Sequence, residues 1–65
     1  MDGLSALTEA IKLNLDQQQI VIDQITGGSV PDFAVYKYLR GKLDALKNFE
    51  SELRALRKKA ADSDD

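Results

Sequence analysis

An all-α chain folded as an antiparallel two-helix hairpin is the class this sequence predicts. Three observations predict it. Large apolar residues recur at helical spacing from Leu4 to Ile25, they do so again from Phe33 to Leu56, and Thr26-Gly27-Gly28 separates the two runs. A strand would need strict alternation, and neither run alternates. The apolar surface left over then predicts association into a four-helix bundle or docking on a larger protein.

The first helix is expected over about residues 4–25, with Asp2 or Ser5 as its cap. Leu4, Leu7, Ile11, Leu15, Ile22 and Ile25 form one stripe, and Gln18 fills its missing place. Leu13, Ile20 and Val21 fall outside that stripe and widen the apolar surface. Ile20, Val21 and Ile22 are β-branched, which lowers helix propensity slightly, but the chain has no second strand with which they could pair. Gln17-Gln18-Gln19 is too short for a low-complexity tract. Its middle residue suits either a stripe edge or a buried polar contact across an interface.

The turn is expected over residues 26–30. Glycine just past a helix is the usual left-handed cap, and a short connection implies antiparallel neighbours. Ser29 and Asp32 stand at capping-box spacing, with Asp in place of the usual Glu or Gln. Pro31 fits the first turn of the second helix, where its missing N–H is no loss. That helix is expected over about 31–61, with a polar, frayed tail at 62–65. Its large apolar residues are Phe33, Tyr36, Leu39, Leu43, Leu46, Phe49, Leu53 and Leu56, at spacings of 3, 3, 4, 3, 3, 4 and 3. The repeated short steps predict a drifting stripe rather than a clean heptad seam. A turn centred near Gly28 places Ile25 beside Phe33 and Leu4 beside Leu53. The last two turns, Leu56 to Ala61, then project beyond the first helix.

Gly41 breaks a local rule, because a mid-helix glycine costs about 1 kcal/mol relative to alanine. Ala34, Gly41 and Ala45 share a face on which another helix backbone has room to approach closely. A glycine on a solvent-facing position is the plainer alternative. With the apolar surplus of both helices, the candidate protein interface is Ile20, Val21, Ala34, Tyr38, Gly41, Ala45 and Leu56.

At 65 residues the chain holds a single domain, 1–65. A core of this size rarely supplies more than about 3–5 kcal/mol, so helix packing, oligomerisation or docking must add to it. There is no cysteine and no histidine, which excludes disulfides and removes the commonest metal ligands. No catalytic, cofactor-binding or metal site is expected. Glu50 and Glu52 point to different faces, Asp16 and Asp23 stand two turns apart, and Gly27-Gly28 lacks the Lys and Ser/Thr of a phosphate loop. No apolar run approaches the roughly 20 residues of a membrane span, and the N-terminus lacks signal-peptide features. A soluble cytoplasmic protein is the expectation.

The net charge of −2 hides a segregation. Asp2, Glu9, Asp16 and Asp23 face only Lys12 in residues 1–28, whereas residues 29–61 carry a basic surplus. An acidic first helix beside a basic second one favours their antiparallel pairing. It also disfavours nucleic acid as a partner, since the cations have internal partners, spread around the helix, and belong to a chain of pI about 4.9.

The segment DFAVYKYLRGKLDAL, Asp32 to Leu46, resembles a pattern in small helical proteins of tailed double-stranded DNA phages. There an Asp-aromatic start leads to Tyr-(Lys/Arg), a glycine and a leucine-rich helix. The matching positions are Asp32, Phe33, Tyr36, Lys37, Gly41 and Leu46, about a quarter of the chain. The resemblance implies a structural or assembly part, in the host cytoplasm or the virion, and transfers no active-site residue. The expected function is a non-enzymatic protein–protein interaction module. Its partners are copies of itself or a larger phage structural protein. The rival is a small phage regulatory protein that binds and inhibits a host enzyme. A dimeric nucleic-acid-associated protein is the third reading.

Overall fold

The computed structural model describes residues 3–28 and 32–62. Two helices, α1 (Gly3–Thr26) and α2 (Phe33–Asp62), pack side by side as an antiparallel hairpin. The resulting rod measures 51 × 17 × 13 Å.

Local chemistry sets the inner helix ends. At the end of α1 the Gly27 N–H donates to the Asp23 carbonyl at 2.8 Å, and Thr26 Oγ1 donates to the Ile22 carbonyl at 2.9 Å. Any Cβ at Gly27 would stand 2.8 Å from that Asp23 oxygen, and Gly28 adopts φ 78°, which side chains disfavour. At the start of α2, Asp32 is itself the cap. Its Oδ1 accepts the Val35 N–H at 2.9 Å, and its carbonyl accepts the Tyr36 N–H at 3.1 Å. This corrects the expected capping box led by Ser29. Ser29 and Pro31 lie outside the described residues, as do Asp2 and the last three residues of the expected tail.

The packing seam differs from both expected stripes. On α1 it runs through Leu4, Leu7, Ile11, Asn14, Gln18, Val21 and Ile25, all buried or half-buried. On α2 it runs through Leu39, Leu43, Leu46, Glu50, Leu53, Arg57 and Ala60. Both alternate steps of three and four, so the seam is a clean heptad. The physical reason is geometric. A 3–3–4 stripe winds progressively around its helix, so a neighbouring helix can cover only part of it, whereas a heptad seam stays in contact along the whole length. Phe33, Tyr36, Phe49 and Leu56 are consequently exposed, and Leu15 yields its place to Asn14.

Val21 shows the change most sharply. Expected on the outer surface, it is 0% exposed and packs with Leu39 and Leu43. Ile22, Ile25, Val35 and Leu46 close around this cluster. At roughly 25 cal/mol per Å2 of apolar surface removed from water, full burial of such a side chain is worth about 1.5–3 kcal/mol.

A polar layer sets the register. Asn14 Nδ2 donates to the Leu46 carbonyl at 2.9 Å, and Gln18 Nε2 donates to Glu50 Oε1 at 2.8 Å. Gln18 spends its second amide hydrogen on Asn14 Oδ1 at 2.6 Å. Among the described residues no buried side-chain N or O lacks a partner. These two cross-helix bonds centre the pairing on Asp16 opposite Asn48. Counting outward, Ile25 comes level with Leu39 and Leu4 with Ala60. The expected levels, Phe33 and Leu53, are therefore corrected, and the last turns of α2 do not project: Arg57 and Ala60 are half-buried.

Candidate interaction surface

A residue one place before a seam position is turned about 100° from it, and a residue one place after is turned equally the other way. The helices of an antiparallel pair are exchanged by a two-fold axis normal to the hairpin, which carries each broad face onto itself. Residues one place before the seam thus share one broad face of the hairpin, whichever helix they belong to. Residues one place after share the other.

The two faces have different chemistry. On the first stand Leu13 and Ile20 of α1, with Tyr38, Ala45, Phe49 and Leu56 of α2. The five large side chains are each between 51% and 67% exposed. Lys42, Glu52 and Lys59 also lie on this face, with Gln17 and Gln24, and neither Lys42 nor Glu52 forms an ion pair with another described residue. On the second face Arg40, Lys47 and Arg54 recur every seven residues along α2. Arg54 Nε meets Glu50 Oε2 at 2.6 Å, and Arg40 meets Asp44 at 3.7 Å between exposed groups, a contact worth little. The Glu50 carboxyl is held below its ordinary value, chiefly by the hydrogen bond from Gln18 and next by that from Arg54.

The outer ridges complete the picture. Glu9, Asp16 and Asp23 recur every seven residues on the back of α1, while Ala34, Gly41, Asn48 and Ala55 do so on the back of α2. At the start of α2 the Phe33 and Tyr36 rings stack with centroids 6.2 Å apart, and Lys37 Nζ lies 5.7 Å from the Phe33 centroid.

The structure gathers Ile20, Tyr38, Ala45 and Leu56 of the expected interface onto the one apolar face. Val21 is removed to the interior. Ala34 and Gly41 sit on the adjoining ridge, and a Cβ on Gly41 would meet nothing within 4 Å. The hairpin itself therefore makes no use of close approach at that glycine. Phe49 is the surface residue that the sequence pattern assigned to the core. The one signal against that assignment was its 3–3 spacing, which a straight seam cannot follow.

Among the described residues no group of His, Cys, Asp or Glu could hold a metal ion, and no helix is long and apolar enough to cross a membrane. An open, shallow depression lies at Leu4, Ser5, Thr8 and Glu9, away from the apolar face. No protein-family model matches this chain, and no curated protein or solved structure matches it at a significant level.

Proposed function

We propose that this protein is a non-enzymatic protein–protein interaction module that works through its apolar broad face. One observation carries the reading: Leu13, Ile20, Tyr38, Phe49 and Leu56 converge on one side of a hairpin whose own seam is already filled. Isolated exposed apolar residues are ordinary, but five large ones gathered on one face favour an interaction surface. The lack of histidine and cysteine supports a role outside catalysis. The resemblance of Asp32–Leu46 to small phage proteins supports a structural or assembly part in a virion, with copies of itself or a larger phage structural protein as partner.

Leu13→Glu combined with Phe49→Glu tests the reading. The double variant should keep the helicity of the wild type by circular dichroism, since neither residue lies in the seam. It should lose whatever association the wild type shows, by sedimentation for self-association or by co-purification for a phage structural protein. Unchanged association in both assays would show that this face is not the working surface. Capture of one host enzyme at fixed stoichiometry, lost in the variant, would instead support the inhibitor.

A further inference from the structure

We infer that the occupant of the apolar face is a second copy of this chain, with the two α2 helices antiparallel about a two-fold axis level with Lys47. The inference rests on the interaction reading above and names its partner. Tyr38, Lys42, Ala45, Phe49, Glu52, Leu56 and Lys59 each stand one place before the seam, and the first six form a second stripe. Its steps are 4, 3, 4, 3 and 4, the spacing of a second heptad seam.

That stripe is complementary to its own reversal. Lys47 lies midway between Tyr38 and Leu56, between Lys42 and Glu52, and between Ala45 and Phe49. A two-fold axis there sets Tyr38 against the second copy's Leu56, an aromatic ring against an aliphatic side chain. It sets Ala45 against the second copy's Phe49, small against large, so that the layer fills without clash. It sets Lys42 against the second copy's Glu52, opposite charges. Each layer occurs twice, as an isologous interface requires.

The two charges have no ion-pair partner among the described residues of one copy. They are ten residues apart on one helix, about 15 Å at 1.5 Å per residue, and so cannot meet each other. Gln17, Gln24 and Lys59 also stand on this face, but Lys42 and Glu52 are the opposite charges that the axis pairs, and there they act as register markers for a partner carrying the same stripe reversed.

Helix α1 supplies an independent check. The cross-helix bonds of Asn14 and Gln18 place Asp16 opposite Asn48, and hence Gln17 level with Lys47. Leu13 and Ile20 are centred between Asp16 and Gln17. The axis defined by α2 alone therefore also brings Leu13 beside the second copy's Ile20. The product is a four-helix bundle with its two turns at opposite ends. A rod 51 Å long and 17 Å across offers a face on the scale of the roughly 800 Å2 per partner that stable interfaces bury.

Sedimentation equilibrium on the wild type, Lys42→Glu, Glu52→Lys and the double reversal tests this, with helicity of each followed by circular dichroism. The wild type should be a dimer. Either single reversal sets like charges together at two places and should weaken the dimer about tenfold or more. The double reversal restores both pairs and should return the dissociation constant to within about threefold of wild type. Four equal affinities, or a double variant as weak as the singles, would overturn the pairing. The Leu13→Glu and Phe49→Glu variant then separates the two levels: if it abolishes dimerisation the face is right and the seam wrong, and if it does not both fail. A helical wild-type monomer would overturn the second copy as occupant while leaving the interaction reading to the co-purification assay.

Discussion

Gln18 Nε2 lies 2.8 Å from Glu50 Oε1 across the hairpin, and this bond joins the two helices at a partly buried layer where an apolar pair would be the default. Its other hydrogen is held by Asn14, which in turn reaches the Leu46 carbonyl. Such a layer satisfies its members in one register and leaves buried polar atoms unpaired in neighbouring ones.

Two substitutions separate stability from specificity in this layer. Gln18→Ala strands Asn14 Oδ1 and opens space in the seam, and should cost about 1–3 kcal/mol in urea denaturation. Replacing Asn14, Gln18 and Glu50 together with Leu should raise the melting temperature while loosening register or oligomeric state. A triple variant that melts lower than wild type would refute this account of the layer.

Acid should weaken the hairpin through Glu50. Its carboxyl is held below the ordinary value, first by Gln18 and then by Arg54. The unfolded chain therefore takes up this proton more readily than the folded one. The corresponding stabilisation is fully present above the ordinary glutamate value of about 4.3 and is lost as pH falls through the lower folded value. Urea titrations at about pH 6 and about pH 3 should show a larger loss for wild type than for Glu50→Gln. Equal losses would mean that the carboxylate contributes nothing specific.

The Asp32 cap is local and separable. Asp32→Ala removes the acceptor of the Val35 N–H and should destabilise the hairpin by about 1 kcal/mol. Asp32→Ser retains a capping oxygen and should recover most of that loss. If both variants melt together, the cap is not formed through the side chain.

Glycines at two positions should respond in opposite directions. Gly27→Ala pushes a Cβ against the Asp23 carbonyl oxygen at the end of α1 and should destabilise. Gly41→Ala enters open space on the back of α2 and should stabilise the helix by up to about 1 kcal/mol. Because Gly41 lies off the proposed dimer seam, its variant should dimerise like the wild type. Weaker dimerisation of Gly41→Ala, by sedimentation, would shift the contact toward the small-residue ridge.

The sequence by itself determined that there are two helices, that the first ends near the glycines after Thr26, and that more apolar surface exists than one hairpin can cover. These follow from local chemistry: the period of apolar residues and the glycines after Thr26, whereas Asp32, read from the sequence as the partner of a Ser29 cap, is itself the cap in the structure. The sequence left Gln18 between a stripe edge and a buried polar contact, and it marked Ile20, Tyr38, Ala45 and Leu56 as surplus. Only the tertiary structure decided which stripe became the seam, turning Val21 inward and Phe49 and Leu15 outward. A single helix reports only its own hydrophobicity, and by that measure Leu15 and Phe49 outrank Asn14 and Glu50. The seam is a joint solution of two helices. It must stay straight along the pair, and it admits polar residues where the facing helix supplies their hydrogen bonds. Gln18, standing between Asn14 and Glu50, is that condition met.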